Sequence, residues 1–196
     1  MERAGLRWAI DGATTLGVVL GGTPAAALAE HNAWAVACGP MFANGRPRFL
    51  LRDPHGVRVE SREPTRGATI MVMPRGAAMA QDGASTGGVL AIRLGDAPVA
   101  VQGYPALVRG GRVQPVAESA SERRVALAIL EPSRVALVAG VGTMEAFARA
   151  LAEGGAREAI YLDGGRAAHL ATVTDVAFQH AASETPVSWI TIGGHG

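Results

Sequence analysis

Between Val125 and Gly165 the apolar residues twice change their period, and this change constrains the fold more than any other stretch of the chain. Val125 to Leu130 and Arg134 to Ala139 read as two short strands. Met144, Phe147, Ala148 and Leu151 then recur at helical spacing, with Thr143 placed to cap the helix and Gly154-Gly155 to end it. Ala159 to Leu162 reads as a buried strand that closes on Asp163-Gly164-Gly165. Strand, helix, strand in that order predicts a crossover unit, and the strand ends of such units commonly carry ligand sites.

The remainder is read in the same way. Leu6 to Ile10 and Thr15 to Leu20 read as strands joined in a hairpin around Asp11-Gly12. An alanine-rich helix is expected from Pro24 to Glu30, with Thr23 as its cap and proline in the first turn. Ala33 to Cys38 is a buried strand that runs into the loop Gly39 to Gly45. Further strands are expected at Phe49 to Arg52, Val57 to Ser61, Thr69 to Met73, Val89 to Arg93 and Ala106 to Val108, with a mobile loop from Gln81 to Gly88 and a turn at Gly110-Gly111. The expected class is α/β of the mixed α+β kind: a mixed sheet core with a few flanking helices, in one domain over residues 1–196.

Composition narrows the function. With 196 residues, 48% of them hydrophobic, the chain can bury a full core. The formal net charge is +1 and the 18 basic residues are all arginine, so the balance gives no sign of nucleic-acid binding. The one cysteine, Cys38, cannot form an internal disulfide. Arg3 and Arg7 before an apolar stretch ending in Ala27-Leu28-Ala29 loosely imitate a secretory leader. Asp11 and the interruptions at Gly21, Gly22 and Pro24 argue against it, and a cytoplasmic location is expected, with secretion left open as the alternative. Nothing approaches the roughly 20 unbroken apolar residues of a membrane span, so no membrane association is expected.

Four short segments could carry chemistry. At Tyr161 to Gly165, Asp163 leaves a buried strand, and Gly164 and Gly165 would let a ligand approach the backbone and leave amides for an anion, although Asp-Gly-Gly is also an ordinary turn. Arg123-Arg124 opens the strand Val125 to Leu130, where a guanidinium can clamp a phosphate or simply be solvated. Gln102-Gly103-Tyr104-Pro105 offers an amide and a phenol to a sugar, or plain packing. Cys38-Gly39-Pro40-Met41-Phe42 turns tightly at Gly39, with a buried, inert thiol as the default. His31, His55, His169, His180 and His195 show no metal-ligand spacing, and no metal or cofactor is expected. His169 lies six residues after Asp163, with a helix-face or capping role as its ordinary reading.

Taken in order, these segments resemble the phosphodiester glycosidase family. The resemblance rests on Cys38 to Phe42, Gln102 to Val108, Arg123-Arg124, Gly142 to Leu151 and Leu162 to Gly165, covers roughly residues 30 to 172 and is best from Gln102 onward. Two positions depart from the family pattern: Ala37 or Cys38 stands where the family has Asn, and Arg166-Ala167-Ala168 replaces a Ser/Thr pair. The resemblance implies hydrolysis of a sugar-1-phosphodiester at the anomeric carbon. It implies Asp163 and Arg124 as catalytic residues, and Arg123, Gln102, Tyr104, Gly164, Gly165, Arg166 and Gly39 as substrate contacts. A glycan or phosphosugar-binding module without turnover, or a structural module, is the alternative that the departures leave open.

Overall fold

The computed structural model describes residues 1–53, 56–60, 62, 67–73, 76–81, 99–117, 120–181 and 184–193. Three antiparallel sheets dominate it. The largest runs, edge to edge, through β1 (Glu2–Arg3), β2 (Leu6–Gly12), β15 (Arg134–Gly142), β14 (Glu122–Glu131), β16 (Glu158–Gly164), β12 (Ala106–Arg109) and β13 (Arg112–Val113). A five-stranded sheet has the order β10 (Gly76–Gln81), β9 (Ala68–Met73), β11 (Val99–Gly103), β7 (Leu51–Asp53), β8 (Gly56–Val59). The other five-stranded sheet has the order β18 (Val176–Phe178), β17 (Leu170–Thr172), β4 (Ala35–Cys38), β19 (Ser188–Ile192), β3 (Gly17–Leu20). A small ribbon pairs β5 (Phe42–Ala43) with β6 (Arg46–Pro47).

One apolar core is shared by all three sheets. Val125, Leu127 and Leu137 of the large sheet meet Ile70 and Val101 of the second and Ala37 and Ile190 of the third. Helix α1 (Pro24–Glu30) covers the outer face of the third sheet through Ala27, which packs with Val19, Val36 and Trp189. Helix α2 (Met144–Glu153) covers the outer face of the large sheet through Met144, Phe147, Ala148 and Leu151. β14 and β16 are therefore apolar on both faces, which explains the continuous hydrophobic run from Val125 to Ile129.

Both helices form where the sequence places them. Thr23 and Thr143 each accept the backbone N–H three residues on, at 3.1 and 3.2 Å, and satisfy a donor that the first turn leaves open. The crossover is also present. α2 joins β15 to β16, which flank β14 and run in the same direction because each pairs antiparallel with it.

The class is a correction. The fold is mainly β, with two short α-helices among the described residues, and the described strand pairs are antiparallel where a mixed sheet was expected. The hairpin at Asp11-Gly12 is a second correction. A 3-10 turn at Ala13–Thr15 separates β2 from β3, which then join different sheets, β2 pairing with β15 and β3 with β19. The expected loop from Gln81 to Gly88 and strand from Val89 to Arg93 lie outside the described residues, apart from the backbone of Gln81 at the end of β10.

Candidate functional site

Several charged groups meet at the corner where β14 begins and β16 ends. In the antiparallel register Arg124 lies opposite Gly164 and Val125 opposite Asp163, with a bulge between Val125 and Ala126. The bulge bends the strand end and re-aims the side chains beyond it. The order of the two strands thus delivers Glu122, Arg123, Arg124 and the Asp163–Gly165 turn to one place.

Arg124 is 0% exposed. Its Nε donates to the carbonyl of Gly142 at 2.8 Å, Nη2 to the carbonyl of Ala120 at 2.6 Å and Nη1 to Glu122 Oε1 at 3.1 Å, with Met144 Sδ at 3.7 Å from the same nitrogen. The guanidinium also lies over the Tyr161 ring, 5.8 Å from its centroid. A buried cation requires this much solvation by protein groups. Where a phosphate clamp was expected of Arg124, these four contacts point inward, to carbonyls, a carboxylate and a thioether. Arg123, the next residue, faces the other way. Its side chain is exposed, donates to the carbonyl of Gln179 at 3.1 Å and sits over Phe178 at 5.6 Å.

The two glycines serve a purpose different from the one expected of them. A methyl group on Gly164 would lie 2.0 Å from the Tyr161 hydroxyl and 3.2 Å from Glu122 Oε1, and one on Gly165 would lie 3.1 Å from Glu122 Oε2. Their amides are engaged as well: Gly164 N–H donates to Asp163 Oδ1 at 2.8 Å and Gly165 N–H to the Arg123 carbonyl at 2.8 Å. The glycines make room for Tyr161 and Glu122, and Gly165, at φ +59°, also takes a left-handed backbone that other residues resist.

Asp163 is left with an unusual carboxyl group. Burial raises its pKa to about 7; the Gly164 hydrogen bond opposes this, and the negative charges of Glu184 and Glu122 add to it. Burial, with the charge of Asp163, also raises Tyr161 and Cys38 well above their ordinary ranges, so both stay protonated. Cys38 is fully buried at the end of β4, as expected for an inert thiol. Gly39 comes next, donating its N–H to the Ser188 carbonyl, and its Cα abuts the Ser188 side chain. The same loop is tied to β16 by the Met41 N–H, which donates to the Leu162 carbonyl at 2.9 Å. Arg166 is solvent-exposed and pairs with Glu184 at 3.3 Å.

The other candidates lie elsewhere or are engaged internally. Gln102 is buried in β11, and its carboxamide oxygen accepts the Leu50 N–H at 3.0 Å. Gly103, beside it, packs against the Tyr161 carbonyl, so the backbone comes close to β16 while the side-chain oxygen is committed to Leu50. Tyr104, 40% exposed, lines a separate cleft of about 280 Å³ with Gly67, Met79, Arg109 and Gln114, and no residue of the Asp163 turn lines it. His169 is not on a helix. It sits just before β17, its Nδ1 3.2 Å from that of His180 and its ring edge-on to Trp189. Burial, with His180 beside it, lowers its pKa to about 4, and its Nε2 has no hydrogen-bond partner among the described residues. Among the described residues no group of three His, Cys, Asp or Glu side chains is placed to hold a metal ion. Glu122 is the residue that sequence reasoning missed, although it stands two positions before Arg124 and so shares its strand face.

The profile of a family described as phosphodiester glycosidase matches residues 44–190, a span that contains this corner. Among solved structures, the catalytic domain of zebrafish N-acetylglucosamine-1-phosphodiester alpha-N-acetylglucosaminidase, auto-inhibited by its pro-peptide, is 13% identical with a TM-score of 0.70, covering 97% of this chain and 84% of that one. A hypothetical protein from Synechocystis is 15% identical with a TM-score of 0.60, covering 96% of this chain and 56% of that one. No curated protein sequence matches this chain.

Proposed function

This chain belongs to the phosphodiester glycosidase family, and from that premise we propose that it hydrolyses a sugar-1-phosphodiester at the anomeric carbon, with Asp163 as its general base. The observation that carries this reading is the Asp163 carboxyl, held in a rigid strand-end turn with a pKa of about 7. A base works best when its pKa lies near the working pH, because it is then both available and strong enough to take a proton. A phosphate monoester departs readily, so the protein needs little acid assistance and chiefly needs charge and position.

In the proposed step the bond between the anomeric carbon and the phosphate oxygen breaks, and the phosphomonoester leaves with the electron pair. A water oxygen bonds to the same carbon and gives its proton to Asp163. Arg123 and Arg166, both exposed near this corner, are the arginines that a phosphate from solvent can reach. Arg124 acts instead as the internal counter-charge of Glu122.

The reading is tested by hydrolysis of a panel of sugar-1-phosphodiesters by the wild type and by Asp163→Asn. Loss of roughly 10³-fold in kcat with the fold retained is expected, on the scale that a positioned proton acceptor contributes. A second reading, a binding module without turnover, draws on the engagement of the Arg124 donors and both glycine amides inside the protein. Binding of the same compounds with no turnover by the wild type would favour it.

A further inference from the structure

We propose that Glu122 is a positioning residue for Asp163: held by the buried Arg124 guanidinium, its carboxylate braces the Gly164-Gly165 turn and places a fixed negative charge beside the strand end that carries the base. As a statement about catalysis this rests on the hydrolase reading above. As a statement about electrostatics it does not.

The brace is built from three contacts. Glu122 and Arg124 are two residues apart on β14, so their side chains leave the same face, and the 3.1 Å ion pair joins an arginine with no exposure to a carboxylate whose side chain is 35% exposed. The arginine thus anchors the inner oxygen while the rest of the carboxylate reaches the surface of the turn. There Oε1 and Oε2 stand 3.2 and 3.1 Å from the places where side chains of Gly164 and Gly165 would begin, and the Tyr161 hydroxyl fills the space behind Gly164. Tyr161 is itself held under the Arg124 guanidinium. One cation therefore contacts both side chains that pack against the turn, beside the Arg123 carbonyl.

The consequence for Asp163 is electrostatic. Burial is the largest cause of its raised proton affinity, and of the two negative charges that add to it, Glu184 and Glu122, only Glu122 is anchored by a buried partner. Glu184 pairs with the solvent-exposed Arg166. Of the other groups at this corner, Cys38 from β4 and Tyr161 from β16 are held protonated by burial and contribute no charge, Arg124 is paired with Glu122, and Arg123 and Arg166 carry their charge at the solvent-exposed surface. Glu122 is thus the anchored charge that adds to burial in raising the proton affinity of Asp163.

The test is a titration of Asp163, followed through its carboxyl carbon by NMR, in the substrate-free wild type and in Glu122→Gln and Glu122→Asp. Glu122→Gln should lower the Asp163 midpoint by about half a pH unit, the scale of one charge lost across a partly solvated gap. Glu122→Asp, which keeps the charge, should leave the midpoint within about a third of that shift. If the wild type turns over a phosphodiester, the rising limb of kcat/KM against pH should move in parallel. Glu122→Ala serves if the Gln variant does not fold, with the same downward shift expected. An Asp163 midpoint unmoved in Glu122→Gln or Glu122→Ala overturns the proposal. Absence of turnover in every protein overturns the hydrolase reading alone, because the titration is read without substrate.

Discussion

The corner where β14 meets β16 and the stretch where β11 passes into β12 hold similar kinds of polar side chain, but they treat them differently. At Gln102 the carboxamide oxygen accepts the Leu50 N–H and so ties β11 to the residue before β7. Tyr104 then turns out to a cleft of its own. At the corner the partners do not balance: Arg124 is satisfied several times over, whereas Asp163 has one backbone donor, a buried position and two carboxylates acting on it. On the proposed reading, reactivity at the corner rests on charge left partly uncompensated, while Gln102 holds the scaffold.

The comparison breaks most visibly at Arg124. Replacing it with alanine leaves the Glu122 carboxylate and the carbonyls of Gly142 and Ala120 without their donor, and a loss of about 3–5 kcal/mol is expected in urea denaturation. A loss below about 1 kcal/mol would mean that the buried arginine is not the pin of the corner.

Next in size is a pH effect of fixed sign. The folded value of Asp163 is about 7, above the ~3.9 of an unfolded aspartate, so the folded protein keeps a proton that the unfolded chain releases. That contribution to stability is complete below about pH 4 and is lost as pH rises through about 7. Asp163→Asn, neutral at every pH, should therefore melt about 5 °C above the wild type at pH 8 and within about 1 °C of it at pH 4. Equal differences at both values would show that the Asp163 carboxyl is not strained.

The smallest effects belong to the other stretch. Gln102→Ala should cost about 1–2 kcal/mol by leaving the Leu50 N–H buried without an acceptor, and should leave kcat/KM within about threefold. Tyr104→Ala should stay within about 0.5 kcal/mol and leave turnover unaltered, since its ring is exposed in a separate cleft. A large activity loss in either would join the two regions into one site.

The features legible in the sequence were local ones. Thr23 and Thr143 announce the helices because capping is decided within four residues, and Met144, Phe147, Ala148 and Leu151 mark the buried face of α2 because its period is set by the helix itself. The strand Val125 to Leu130 is legible from its own unbroken apolar run. Strand partners were not legible. Asp11-Gly12 is a good hairpin dipeptide, yet β2 and β3 are drawn apart by partners distant in sequence, which no neighbouring residue signals. Arg123 and Arg124 look alike in sequence, and alternation cannot say which is buried when the strand is apolar on both faces. Asp163 was identified from its place at a strand end, whereas its raised pKa depends on burial that only the assembled sheets provide and, less, on Glu184 and Glu122.

The split crossover also governs how the chain finds its structure. β14 and β15 are neighbours in sequence and can zip together early, and α2 with β16 joins them at once, so the site-bearing corner is assembled from one nearly contiguous stretch. β2 ends at Gly12 and its partner β15 begins only at Arg134, so the ribosome makes β2 well before the strand it pairs with. Until then Leu6 and Trp8 have no sheet to join. Pairing β2 with β15 closes a long loop, which makes it the slow and aggregation-exposed kind of step, whereas the corner needs only strands close in sequence.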